Sequence, residues 1–392
     1  VMKYFFLFSS FFIVYVAYSQ VDTVKLKPYT IMEKRLPIKL SESGRSVEVI
    51  TAEDIENSNA VSINEVLTTV AGLDIRQRGP LGVQADIGIR GGSFDQTLIL
   101  INGMKLSDPQ TGHHALNLPI LMENIERIEV IKGPAARLYG SNAFAGAINI
   151  VTKTTDESFL YVSAVGGEKN LYQTTLGVNW AAKSSQHSLY LNMSGSDSFY
   201  YNTDFKMKNL SYQADTKLKG WQVSFLTGIN TRKFGANSFY SSKSYKDQYE
   251  EISTYFAGLQ TDKKLTKKFS LGFKIYARHH EDNYILFRQD PSIYQNIHNS
   301  KQWSFEATGR QKIGKGTLSF GLDTRIEELE STNLGERSRT VSSGFADLKM
   351  TVGKFMINPG FNLSFISGYD PQIFPGMDIS VPLTKKVRLF TH

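Results

Sequence analysis

The sequence predicts a small N-terminal α/β domain joined to an antiparallel membrane β-barrel. Three observations carry that prediction. The N-terminus has the form of an export leader, and residues 46–151 mix short apolar runs with helix signals. From about residue 157 apolar residues fall at every second position, and short polar turns alternate with long segments rich in Tyr and Asp.

The leader comes first. Met2 and Lys3 precede an apolar stretch, "YFFLFSSFFIVYVAYSQ", with small Ala17 and Ser19 before Gln20. This is the pattern of a cleaved signal peptide over residues 1–19, rather than a membrane anchor. The chain of 392 residues has no cysteine, which excludes disulfides, thiol catalysis and thiolate metal sites. Its net charge of +7 comes with lysines paired at turns (Lys263, Lys264, Lys267, Lys268, Lys385, Lys386), which suits solvent or anionic lipid and implies no nucleic-acid partner.

In the mixed domain, "SVEVITAEDI" reads as a strand followed by a helix, with Thr51 as N-cap and Asp54 three residues on. "SINEVLTTVAGLDI" continues as a short helix with Val66, Leu67 and Val70 on one face, stopped at Gly72. "DIGIRGG", "TLILING" and "IERIEVIKG" read as strands, with Asn102-Gly103 as a tight turn. "GPAARLYGSNAFAGAINIVTK" is turn-rich and runs into a strand from Ala147 to Val151.

Beyond it, "LYQTTLGVNW" places Tyr172, Thr174, Leu176, Val178 and Trp180 on one face and Gln173, Thr175, Gly177 and Asn179 on the other. "WQVSFLTGIN" and "FSLGFKIYAR" repeat the alternation. Short turns are expected near 182–186, 219–220, 262–267, 313–316, 353–354 and 384–386. Long segments are expected at 195–207, 232–249, 280–298, 330–338 and 366–376. Connections sorted by length onto two ends are the habit of outer-membrane barrels, with short periplasmic turns and longer external loops. About twelve strands are expected, plus the start of another at "KVRLFTH".

The motifs "VITAEDI", "VLTTVAGLDIR", "IRGGSFDQTLILINGMKL" and "IERIEVIKGPAARLYGSNAFAGAINIVTK" follow one another in order. With the leader and the barrel pattern, they resemble the TonB-dependent outer-membrane receptors. That resemblance implies a plug domain over residues 46–153, held inside a barrel that begins at 154, in the outer membrane of a Gram-negative bacterium. It implies TonB, with its inner-membrane energising complex, as partner, and outer-membrane lipid around the barrel. No cofactor and no metal are implied. In the linker, 20–45, either Thr23 to Leu26 or the segment Tyr29, Thr30, Ile31, Met32 and Glu33 could be the core of the TonB box; the second lies closer to the family's position. A disordered linker is the alternative. An exposed β-prone peptide suits capture by strand addition.

The resemblance further implies that Arg90 and Arg137 pair with barrel carboxylates, whose identity the sequence does not give. It places the ligand-facing plug apices at 76–86 and 106–118, with Arg76, Arg78, Gln84, Asp108, Gln110, His113, His114 and Asn117 as contacts. Two adjacent histidines in a polar loop fit either solvation or ligand contact. The apex at 106–118 looks closest to cobalamin-receptor members, and a neutral, amide-rich corrinoid wants such a field of donors and acceptors. A ferric siderophore is the second reading, a non-transporting adhesin or sensor the third, and a surface lipoprotein a candidate partner. No nucleophile elbow, HExxH or phosphate loop is present, so an enzyme is not expected. Asp197, Asp204, Asp247, Glu250 and Glu251 match no defined calcium loop and read as solvated acids. Family barrels close with 22 strands, so a chain with about half that number reads as incomplete.

Overall fold

The computed structural model describes residues 30–31, 38–39, 43–240, 245–384 and 387–392. The leader, the segment Thr23 to Leu26, and Tyr29, Met32 and Glu33 lie outside the described residues. Two short strands, β1 (Thr30–Ile31) and β2 (Ile38–Lys39), pair antiparallel ahead of the first domain.

That domain opens with β3 (Ser46–Thr51) and α1 (Ala52–Asn57). Thr51 caps the helix reciprocally. Its hydroxyl accepts from the Asp54 amide at 3.1 Å, and the Asp54 carboxylate accepts from the Thr51 amide at 2.8 Å. The next helix, α2 (Ile63–Thr68), is capped by Ser62, and β4 (Leu73–Arg78) and β5 (Gln84–Ile89) form a hairpin. The sequence reading missed β4, because "LDIRQR" keeps neither an apolar face nor β-branched density. Then come β6 (Thr97–Ile101), β7 (Met104–Leu106), β8 (Ile125–Lys132), α3 (Ala136–Tyr139) and β9 (Gly146–Thr152). Asn102 and Gly103 both take positive φ, as a tight hairpin turn requires.

The main sheet runs β3-β8-β9-β6-β7, with β6 and β9 parallel. Val66 and Leu67 of α2 pack onto Ile99, Ile101, Ile128, Ile148 and Ile150, all 2% exposed or less. At Gly146 an added Cβ would collide with the carbonyl oxygen of Ile131, so the chain can enter β9 this close to β8 only without a side chain.

Thirteen strands follow as one antiparallel sheet, each paired with the next. They are β10 (Phe159–Gly167), β11 (Leu171–Ala181), β12 (Ser185–Ser196), β13 (Phe205–Leu218), β14 (Trp221–Gly235), β15 (Tyr249–Lys264), β16 (Phe269–Ile285), β17 (Gln295–Ile313), β18 (Gly316–Ser331), β19 (Arg337–Val352), β20 (Phe355–Ile366), β21 (Gln372–Pro382) and β22 (Arg388–Thr391). Among the described residues no helix is long and apolar enough to cross a membrane. The strands are. In β11, Tyr172, Leu176, Val178 and Trp180 face outward and are exposed, while Thr175, Gly177 and Asn179 are buried on the inner face.

Turns at one end are short, as expected, but the long segments at the other end differ from the sequence reading. Much of 280–298 is strand, with only 286–294 joining β16 to β17. Polar residues there still alternate and satisfy a backbone ladder, so the hairpin continues beyond the roughly 9–11 residues that cross a bilayer. The first domain enters at the short-turn end, where β10 starts, and its β4–β5 hairpin reaches the opposite end, where Arg78 donates to the carbonyl oxygen of Phe239 at 2.6 Å.

Candidate functional site

The inner face of the sheet is built to hold the α/β domain. Arg137 on α3 is 4% exposed and donates to the carboxylates of Asp347 on β19 and, at 2.6 Å, Asp378 on β21. Arg45 joins Asp378 from the domain's N-terminal edge, with both contacts at 3.1 Å. Lys105 on β7 reaches both carboxylate oxygens of Asp323 on β18 at 3.2 Å. Charges so buried are tolerable only when paired, which fixes where the domain sits.

Backbone contacts continue the seat. Arg232 on β14 donates to the carbonyl oxygens of Gly82 and Val83, and Arg278 on β16 to those of Ser107 and His114. The Gln302 side chain of β17 both accepts from the Ser107 amide and donates to the Lys105 carbonyl, at 2.8 Å each. Leu226, Phe256 and Tyr276 turn inward and extend the domain's own core. Gly228 lets β14 approach, because a Cβ there would overlap the Pro119 carbonyl oxygen.

The expected apex residues divide into three groups. Arg76 is exposed at the hairpin and pairs with Asp74 at 2.8 Å. Arg78 is held by Asp86 and by the 236–248 connection, and its guanidinium lies over the Tyr240 ring. His113 is partly exposed, bonded through Nδ1 to Asp86 at 2.7 Å and packed on Phe94. Burial works to raise the Asp86 pKa, but His113 and Arg78 outweigh it and hold the carboxyl below the ordinary range. Gln84 is buried, and neither of its amide atoms is bonded among the described residues.

Other expected contacts do structural work. Asp108 accepts from the backbone amides of Gln110, Gly112 and His114, which folds its own loop. The Gln110 amide donates to Asp282 on β16. His114 and Asn117, expected at a ligand-facing surface, are instead 2% and 3% exposed and bonded to each other at 3.0 Å. Burial alone would lower the His114 pKa. The carboxylates of Asp282, Glu250 and Asp108 reverse that and raise it to about 9. Glu250, read as a solvated acid, is 1% exposed on the inner face of β15. Arg90 also departs from expectation: it stands exposed on a left-handed turn and forms no ion pair among the described residues. Thr30 and Ile31 of the expected TonB box lie in β1, opposite Lys39 and Ile38.

Comparison with known proteins joins these features. Residues 39–147 match the TonB-dependent Receptor Plug Domain. These residues carry the plug domain of a TonB-dependent receptor. The receptor is 36% identical over 136 residues to the vitamin B12 transporter BtuB of Vibrio vulnificus, covering 35% of this chain and 22% of that protein. A second relative, the vitamin B12 transporter BtuB of Vibrio cholerae, is 36% identical over 127 residues, covering 32% of this chain and 21% of the relative. The match thus spans about a fifth of these curated relatives' length. Among solved structures, the ferric citrate transporter FecA superposes with a TM-score of 0.72 at 15% identity, covering 89% of this chain and 62% of FecA. The siderophore receptor PirA from Pseudomonas aeruginosa does so with a TM-score of 0.68 at 19% identity, covering 86% and 59%. Both likenesses concern the fold alone: a plug domain against a wall of antiparallel strands.

Sequence reasoning missed most of the receptor's seat. Lys105, Arg45, Arg232, Arg278 and their partners carried one usable signal. Arg232, Arg278, Asp323, Asp347 and Asp378 all fall at inward positions of period-two strands, where a charge needs a lumen partner.

Proposed function

We propose that the receptor takes up a corrinoid across the outer membrane, with TonB pulling on the segment around Thr30–Ile31. The observation that carries the cargo reading is the 36% identity to proteins named vitamin B12 transporters. Loop chemistry supports it: His113 offers a partly exposed imidazole, and a corrinoid rim is rich in amides, while Gln84 leaves the contact set because it is buried. His114, Asp108 and Asn117 leave the proposed contact set, because their polar atoms are engaged inside the plug and against the wall. A ferric siderophore is the second reading, favoured by the exposed cation Arg76 at the hairpin. The outward apolar face, with Leu160, Val162 and Trp303, contacts lipid.

Calorimetric titration of the receptor with cyanocobalamin and, separately, a ferric siderophore tests the cargo. Cyanocobalamin should bind, and His113→Ala should weaken it by about 0.5–1.5 kcal/mol, up to roughly tenfold in Kd. Siderophore binding without corrinoid binding would overturn the cargo and leave TonB-driven transport standing. Loss of uptake on deletion of Val21 to Glu33 would support energised transport, whereas a surface function that survives the deletion with no uptake in the intact receptor would favour a non-transporting adhesin or sensor.

A further inference from the structure

Two carboxylates stand close together inside the receptor where plug meets wall. Glu250 on β15 and Asp282 on β16 are 1% and 3% exposed. They are diagonal neighbours on the inner face, since Asp282 lies opposite Ile252 and Glu250 opposite Tyr284. Like charges so placed repel, and burial strengthens the repulsion. The plug supplies His114, whose Nε2 lies 3.6 Å from an oxygen of each. One imidazolium balances one of the two charges. Arg278, on the same face, directs its N–H groups to the carbonyl oxygens of Ser107 and His114.

A second observation is independent of the charges. Asp282 Oδ1 and His280 Nε2 are buried with no hydrogen-bond partner among the described residues. The other polar atom of each is fixed: Asp282 Oδ2 accepts from Gln110, and His280 Nδ1 meets the Thr254 hydroxyl at 2.8 Å. The His280 and His114 rings lie 4.8 Å apart between centroids. Unused donor atoms of two ligand-type side chains therefore sit beside the carboxylate pair, where a water-exposed site would leave none orphaned.

We propose that His114, Glu250 and Asp282 form a site for a divalent transition cation of the zinc class, which pins the 107–118 apex of the plug to β15 and β16. One ligand atom from each residue already lies within 4.8 Å of the others. Around a tetrahedral zinc, ligand atoms at about 2.0–2.2 Å from the metal stand roughly 3.3–3.6 Å apart, which the two His114 separations meet with little movement. Two carboxylates and a neutral imidazole cancel the charge of the ion. An imidazole with only two carboxylates favours zinc over calcium or magnesium, which prefer six or more oxygens. The Asn117 side-chain amide nitrogen faces His114 Nδ1 at 3.0 Å, and metal at Nε2 would turn that amide over so that its oxygen accepts from Nδ1–H and fixes the metal-bound tautomer. His280 Nε2 or a water completes the fourth position.

The test uses the receptor purified in detergent and stripped with a chelator, titrated calorimetrically with zinc chloride and, in parallel, with calcium chloride. Zinc should bind as one tight equivalent and calcium should not compete. The near-isosteric variants Glu250→Gln and Asp282→Asn should each weaken zinc by at least about tenfold, the scale on which altered metal surroundings act. His187→Ala, which removes a histidine between β11 and β13 on the far side of the wall, should leave the affinity unchanged. Cobalt loaded into the unmodified receptor should give the intense visible absorption of four-coordinate metal, a readout that needs no variant to fold. Absence of tight zinc binding, retention of wild-type affinity in both carboxylate variants, or a weak octahedral cobalt spectrum would each overturn the site.

Discussion

Arg137 and Arg90 illustrate what a residue's surroundings add to its motif. Both stand in glycine-flanked plug motifs, and the sequence treats them alike. In the structure α3 carries Arg137 into the wall, where its partners lie 210 and 241 residues further along the chain, a distance no local pattern reports. Arg90 occupies a left-handed turn position at the surface, so its side chain leaves the core. Removing Arg137 takes a charged partner from two buried carboxylates, Asp347 and Asp378, and Arg137→Ala should destabilise plug seating by about 3–5 kcal/mol. Arg90→Ala should change it by no more than about 0.5 kcal/mol. Protease sensitivity of the plug across a urea series reads both, and equal midpoints for the two variants would contradict the assignment. The same limit governs His114. Its place in a polar "GHHALN" loop was legible, but its burial against β15 and β16 depends on strands more than a hundred residues away.

At the scale of elements, alternation located the wall strands well, since a period of two survives wherever one face meets lipid and the other the plug. Loop boundaries were less legible, because polar hairpin ends pair as readily as apolar ones. The external connections then acquire ties that no periodicity encodes. Arg288 in the 286–294 connection grips both oxygens of Asp204 at 2.6 and 2.9 Å and stacks on Tyr249. The Arg288 hydrogen bonds hold the Asp204 carboxyl below the usual carboxylate range despite partial burial. A depressed folded-state pKa contributes stability above the unfolded value of about 3.9, and that contribution is lost as pH falls through the folded value. The tie between 197–204 and 286–294 should therefore hold at pH 6 and loosen below about pH 4. Amide exchange in these two connections should rise at the lower pH, and Asp204→Asn should remove the difference. Identical protection of the wild type at both pH values would argue against the tie.

For the whole molecule, the distribution of plug contacts bears on how a pull could be used. Among the described residues the contacts that seat the plug are spread from Arg45 to Asn142, and the first charged anchor among them is Arg45, which shares Asp378 with Arg137. Tension applied at β1 and carried through the following chain therefore reaches the Arg45–Asp378–Arg137 cluster before the β6–β9 core. Such a load needs a handle that resists shear, and a β-strand added to a partner offers several backbone hydrogen bonds in parallel. Ile31 sits in that strand, and Ile31→Pro deletes its amide donor and disfavours an extended pairing there. Cells carrying Ile31→Pro should lose cyanocobalamin uptake while the purified variant binds it with unchanged Kd, since residue 31 lies outside the 76–86 and 106–118 apices proposed to hold the cargo. If binding and uptake fell together, the segment would belong to the plug's architecture and the pull would act elsewhere. If neither fell, energy coupling through this strand would be excluded.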